Sequence, residues 1–285
     1  MAELLKGTPV ADAITAELTD RAAELRKNGI MPKVCTLRVG NDNSAIAYER
    51  NAIKRCSRIG IDTMQLYLPE DCSQTELEEK IDIINDDSSV HGCLMFRPLP
   101  GQIDEYSVCE RLNPVKDIDC ITSTSLNHIF TGFGAGYNPC TAQACIELLK
   151  YYGYNLVGKQ IVVIGRSMVI GKPVSLMLQS ENATVTMCHT KTRDMASLCR
   201  NAEILIVAAG KPCFVDETYV NPNQIVIDVG INTDSDGRLC GDVCFDRVEP
   251  VVSAISPVPG GVGSVTTSIL CKHIIESAEK IEAIL

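Results

Sequence analysis

Between Val10 and Leu25 the apolar residues Val10, Ile14, Leu18 and Leu25 recur at helical intervals with charged residues between them, which predicts a surface helix. The run VCTLRV at 34–39 is compact and β-prone and predicts a strand, and 44–58 returns to helical spacing until Gly60 breaks it. Ser73-Gln74-Thr75-Glu76 has the form of a capping box, in which two side chains satisfy each other's free backbone N–H groups, so a helix is predicted from there to about Asn85. Val90–Phe96 reads as a buried strand. Strands alternating with helices predict a parallel α/β sheet covered on both faces.

Pro98-Leu99-Pro100-Gly101 interrupts this pattern, and around Asn138-Pro139-Cys140-Thr141 the chain turns into a helix reaching about Tyr151, which puts a domain boundary near 140 to 150. Four short apolar runs follow, QIVVIG at 160–165, ATVTMC at 183–188, EILIVAA at 203–209 and QIVIDVG at 224–230, and they predict a second α/β unit. After Pro257-Val258-Pro259-Gly260-Gly261 the segment Ser264–Ile284 has helical spacing again. No internal repeat or low-complexity linker is visible.

A length of 285 residues fits two domains, and a composition 45% hydrophobic and 22% charged, with no membrane-length apolar run, fits a soluble protein. The start MAELLKGTPVADAI has no export signature, so a cytoplasmic protein is expected. A formal net charge of -10 opposes nonspecific attraction to nucleic acid or an anionic membrane, and neither is an expected partner. The fourteen cysteines contain no C-x-x-C pair and are expected to be reduced, buried space-fillers. Cys240 and Cys244 lack the second close pair that a zinc site would use, so no metal is expected.

Gly165-Arg166-Ser167-Met168-Val169-Ile170-Gly171 joins a predicted strand to a predicted helix. Such a turn can set backbone N–H groups and the positive end of a helix against a pyrophosphate, although the spacing is not G-x-G-x-x-G and an ordinary tight turn reads the same way. The next strand ends in Cys188-His189-Thr190-Lys191-Thr192, where an NAD site would usually place a carboxylate for the ribose. Arg166, Thr190 and Lys191 suit a 2′-phosphate, which points to NADP rather than NAD.

Several segments together resemble the methylenetetrahydrofolate dehydrogenase/cyclohydrolases: GRSMVIGKP at 165–173, CHTKT at 188–192, IDVGIN at 227–232, GDV at 241–243 and PVPGGVG at 257–263, preceded by VGNDNSAIAY at 39–48, PLP at 98–100, KDID at 116–119 and NPCT at 138–141. The resemblance covers nearly the whole chain. It implies a two-domain α/β fold, with an N-terminal catalytic domain over 1–144, a Rossmann-type nucleotide-binding domain over 145–262, a helix over 263–285 returning to the first domain, and a folate cleft between the two. By the same resemblance Tyr48 and Asp119 are the catalytic pair, Tyr48 packing against the folate and Asp119 holding its pteridine end. Phe96 and the loop Pro259, Gly260, Gly261, Val262 and Gly263 join them in substrate binding. Gly165, Arg166, Ser167, Gly171, Thr190 and Ile231 take the cofactor, and the protein is a homodimer. Taken singly, a half-buried tyrosine, a turn-capping aspartate and a Pro/Gly turn have structural readings as well. None of the four histidines has a partner at catalytic spacing.

Ala142, Ala144 and Ser264 are small departures from this family that concern packing or loop shape, and two others bear on its chemistry. Four residues after Tyr48, where bifunctional members carry a lysine on the same helical face, stands Ala52; where the supporting glutamine precedes P-L-P stands Phe96, followed by Arg97. Hydride transfer from 5,10-methylenetetrahydrofolate asks chiefly for positioning, because the adjacent nitrogen lone pair stabilises the cation. Hydrolysis of the methenyl product needs water activation and proton transfers. The expected protein is therefore a dehydrogenase with weak or absent cyclohydrolase activity. Two alternatives stand beside it: a fully bifunctional enzyme in which Arg97 or Lys54 takes over, and a noncatalytic folate- or nucleotide-binding protein.

Overall fold

A computed structural model of the chain describes residues 1–282. In chain order the elements are β1 (Glu3–Leu4), α1 (Gly7–Lys27), β2 (Lys33–Val39), α2 (Asn43–Ile59), β3 (Asp62–Leu68), α3 (Gln74–Asp86), β4 (Gly92–Met95), α4 (Glu105–Arg111), α5 (Ser123–Thr131) and α6 (Cys140–Tyr151). They continue with β5 (Gln160–Ile164), α7 (Gly171–Ser180), β6 (Thr184–Cys188), α8 (Met195–Arg200), β7 (Ile204–Val207), β8 (Ile225–Asp228), β9 (Asn232–Thr233), β10 (Leu239–Cys240), α9 (Phe245–Val248), β11 (Ala254–Ile255) and α10 (Gly263–Glu282). Two compact units result among the described residues, one of residues 13–140 and 267–282, the other of residues 1–12 and 141–266.

The first unit holds a three-stranded parallel sheet in the order β3-β2-β4. Its helix starts follow from capping chemistry. The Asp42 carboxylate accepts the Ala45 N–H at 2.8 Å to begin α2, Gly60 in a left-handed conformation (φ 95°) ends it, and the expected Ser73/Glu76 capping box begins α3. Leu37, Leu77, Ile81, Ile84, Val90 and Val108 meet in one core cluster beside the sheet. The strand β3 is an element the sequence pattern did not single out: its burial alternates along DTMQLYL, with only Leu68 buried, which leaves a weak apolar signal.

The second unit is a six-stranded sheet in the order β1-β11-β8-β7-β5-β6, every neighbouring pair parallel. Its four principal strands are those expected, trimmed at their ends: β5 stops at Ile164, β6 begins at Thr184, β7 keeps Ile204–Val207 and β8 keeps Ile225–Asp228. The unit boundaries differ from the expected 1–144, 145–262 and 263–285. Residues 1–12 cluster with the second unit, in which β1 pairs with β11, Glu3 opposite Ala254. The break falls after Cys140, and α10 is shared, with Thr267 onward in the first unit. The end of the expected 264–284 helix lies outside the described residues. Eleven of the fourteen cysteines are buried, in keeping with their expected packing role. Among the described residues no helix is long and apolar enough to cross a membrane.

Candidate active site

In the first unit, α2 presents one stripe to the interior, with Glu49, Ala52, Cys56 and Ile59 buried. Tyr48 stands one turn before Ala52, half-buried, and its ring meets Phe96 edge-on with centroids 6.1 Å apart and planes at 79°. Phe96 directly follows β4, where its N–H extends the ladder to the Leu37 carbonyl at 3.0 Å. Burial and the charge of Asp119 push the Tyr48 hydroxyl well above its ordinary value, so it is a neutral donor at physiological pH. Asp119 is itself raised by burial, and it accepts the Cys140 N–H at 3.2 Å, where α6 begins.

The KDID segment divides its labour. The Lys116 ammonium is buried and donates to the carbonyls of Ile84, Asn85 and Asp87 at 2.6, 2.9 and 2.7 Å, closing the C-terminal end of α3. Asp117 is fully buried. Its Oδ2 accepts the Thr122 N–H and hydroxyl, each at 2.8 Å, and both oxygens lie within 3.0 Å of the Ile121 nitrogen. The Asp117 backbone bridges in parallel to Cys93 of β4, and the loop that follows brings Asp119 close enough for its charge to be felt at Tyr48. Tyr48, Phe96 and Asp119 are thus brought together by a helix face, a strand end and a loop pinned to that strand. The roles of Lys116 and Asp117 are invisible in sequence except as an acidic and basic pair inside an otherwise apolar stretch.

The cations close to Ala52 in sequence or preceding P-L-P are placed as follows. Arg55 turns away, donating to Thr267 Oγ1 at 2.9 Å and Thr15 Oγ1 at 3.0 Å; Lys54 is exposed; Arg97 pairs with Glu105 at 3.3 Å. The carboxylate of Glu49 is taken by Thr36 and Arg38 at 2.6 and 3.1 Å.

In the second unit the chain passes from β5 outward to β6 and returns on the other side of β5 as β7, so the strand order reverses beside β5. Ligands of open parallel sheets bind outside the carboxyl ends at such a point. There the turn Gly165–Gly171 is built as a cradle: a β-carbon at Gly165 (φ 131°) would stand 2.3 Å from the Ala208 carbonyl oxygen, and one at Gly171 would stand 2.3 Å from that of Gly165. Only glycine allows these backbones so close at the start of α7, which is what a pyrophosphate against that helix needs. Ser167 Oγ accepts the Ile170 N–H at 3.1 Å and so shapes the turn from within. Ile164 pairs with Cys188, which sets exposed Arg166 and exposed Thr190 at the same level past neighbouring strands; Lys191 follows, and exposed Ile231 lies past β8.

Two carboxylates tie the next loops together. Asp228, at the end of β8, accepts the N–H groups of Gly230, Asp242 and Val243 at 2.9, 3.0 and 2.9 Å, and burial outweighs these donors, pushing its carboxyl up to about 6. Asp242 accepts the N–H groups of Gly210 and Lys211 and the side-chain amide of Asn232, all at 2.8 Å. The IDVGIN and GDV segments are therefore one clasp around the loop after β7. Pro259–Gly263 leads into α10, and Gly7 packs against it so closely that a β-carbon there would stand 2.1 Å from the Gly261 carbonyl oxygen.

A parallel sheet with a glycine cradle where its strand order reverses defines a Rossmann-type nucleotide-binding protein. Residues 5–119 match the family described as tetrahydrofolate dehydrogenase/cyclohydrolase, catalytic domain, and residues 139–282 match its NAD(P)-binding domain. A relative described as bifunctional protein FolD, from Carboxydothermus hydrogenoformans, is 47% identical over 281 residues, 98% of each chain. The solved bifunctional FolD enzyme of Campylobacter jejuni is 35% identical with a TM-score of 0.95, covering 99% of this chain and 100% of that one. That of Trypanosoma brucei, solved with NADP and an inhibitor, is 34% identical with a TM-score of 0.92, covering 99% and 98%. The chain belongs to the tetrahydrofolate dehydrogenase/cyclohydrolase family. It is an oxidoreductase of one-carbon folate metabolism with a Rossmann-type NAD(P)-binding domain.

Proposed function

We propose that the protein oxidises 5,10-methylenetetrahydrofolate, with NADP as hydride acceptor, and releases 5,10-methenyltetrahydrofolate without hydrolysing it. The observation that carries the second half is Ala52, a buried methyl group one turn beyond Tyr48. A methyl can neither move a proton nor stabilise an oxyanion, and the neighbouring Arg55 and Arg97 are held by other partners. Phe96 offers no hydrogen bond either. Hydride transfer makes none of these demands. Tyr48 packs on the substrate, Asp119 holds the pteridine through its N–H groups, and Pro259, Gly260, Gly261, Val262 and Gly263 keep their family role in folate contact.

The cradle at Gly165 and Gly171, with Ser167 inside it, accepts the pyrophosphate; Arg166, Thr190 and Lys191 carry the charge and donors for a 2′-phosphate, and Ile231 lies against the cofactor. A homodimer, which the family resemblance suggests, and a cytoplasmic location are proposed with it.

The test follows absorbance during methylene-folate oxidation with NADP and NAD, then supplies methenyl-folate and compares its loss with the buffer background. Turnover with hydrolysis at background is expected, and Ala52→Lys with Phe96→Gln should raise hydrolysis. Fast hydrolysis by the unaltered protein would overturn the monofunctional reading in favour of a bifunctional enzyme, which is what the description of the relatives as bifunctional favours. Absence of turnover with both cofactors would overturn the dehydrogenase.

A further inference from the structure

We propose that Tyr48 and Phe96 form an aromatic corner that selects the positively charged product, so that Phe96 is a specificity-determining residue for the charge state of the bound folate. The proposal rests on the dehydrogenase reading and extends it. Oxidation removes a hydride from the methylene bridge; its two electrons leave with it to the nicotinamide, and the bridge carbon shares one positive charge with the two nitrogens beside it. Substrate and product therefore differ by one charge, at one carbon.

The groups around that charge favour the cation. Tyr48 and Phe96 stand with planes at 79° and centroids 6.1 Å apart, two walls of a corner, and each is only half-buried, so ring surface remains for a ligand. Aromatic faces carry negative electrostatic potential and attract a cation, more strongly where water is excluded. The third neighbour on the Tyr48 face is the Ala52 methyl, which adds neither charge nor a polar atom. Asp119, whose charge is felt at Tyr48, adds a further attraction for a cation. Of the nearby positive groups, Arg55 is held by Thr15 and Thr267 and Lys54 is exposed to solvent, while Arg97 pairs with Glu105 at 3.3 Å although its charge still reaches Asp119. A ring pair that served packing alone would bind charged and neutral folates without distinction. A corner built in this way also keeps a hydrolysable cation against surfaces with no base on them, which suits an enzyme that releases the methenyl group intact.

The experiment titrates 5,10-methenyltetrahydrofolate, a cation, and tetrahydrofolate, neutral at its reduced ring, onto the full chain and onto Phe96→Leu and Phe96→Tyr. Leucine keeps apolar bulk and removes the aromatic face; tyrosine keeps the face. We expect Phe96→Leu to weaken methenyl binding about 5- to 30-fold with less than about a 2-fold change for tetrahydrofolate, and Phe96→Tyr to retain the original ratio. Should Phe96→Leu not fold, Phe96→Met carries the same expectation. An equal loss for both ligands, or an unchanged ratio in the leucine or methionine variant, overturns the proposal. NADP reduction by the unaltered protein separates the two readings: turnover with no charge selectivity sinks the corner alone, whereas no folate binding and no turnover sinks both.

Discussion

Asp117→Asn is the most demanding single test of how the site is held. Asp117 is fully buried, and three of its four acceptor contacts converge on Oδ2. An asparagine would keep its amide oxygen there and turn its NH2 toward the Ile121 N–H that Oδ1 now faces at 2.9 Å. Two donors would then meet. Hydrogen bonds to a charged acceptor contribute about 1.5–3 kcal/mol each against about 0.5–1.5 for a neutral one, so three weakened bonds amount to roughly 3 kcal/mol. The neutral amide is cheaper to bury, which brings the expected loss to about 2 kcal/mol. Urea unfolding of both proteins measures it. Because Asp119 is two residues on, KM for the folate should rise more than kcat falls, and Asp119→Asn in the Asp117→Asn background should cost less than it does alone. A stability change below about 0.5 kcal/mol with an unchanged KM would show that the buried carboxylate does not hold this loop.

Two further outcomes are expected. Arg166→Ala should raise KM for NADP about 10- to 100-fold with a much smaller effect on NAD, measured by initial rates; equal effects would show that Arg166 does not read the 2′-phosphate. Asp228, whose carboxyl is raised from 3.8 to about 6, takes up a proton on folding between those values. Its ionisation therefore penalises the folded state above about pH 6, and the penalty fades as pH falls toward 4. In unfolding curves the native protein should gain stability relative to Asp228→Asn between pH 7 and 5, by up to about 1.4 kcal/mol per unit below pH 6, and run parallel to it above pH 7. Parallel curves throughout would refute the raised carboxyl.

The central strands, the α3 capping box, the glycine turn and the two-unit α/β class are legible in the pattern because each has a local physical cause: period, cap or tight turn. Elements whose causes are nonlocal are not legible. β1 is two residues long and exists through its partner β11, and α4 and α5 are short helices begun by Asp104 and Thr122 caps with no long apolar stripe. The candidate site divides the same way. Tyr48, Asp119 and the Gly165 turn stand out through family motifs, whereas Lys116, Asp228 and Asp242 act through backbone groups distant in sequence, and spacing alone cannot point to those groups. Arg55, close to Ala52 in sequence, is removed from consideration only by its contacts with Thr15 and Thr267.

The pairing of Glu3 with Ala254 sets an order on synthesis. β1 has no partner until β11, far along the chain, has been made, and contacts of such high sequence separation are slow to form. The second sheet can accordingly close only once β11 has been made, whereas β2, β3 and β4 are neighbours in sequence and can pair early. An N-terminal fusion or a deletion of the first ten residues should therefore be felt at the cofactor end of the protein, through β11 and the Gly7–Gly261 contact, although the residues changed lie at the opposite end of the sequence.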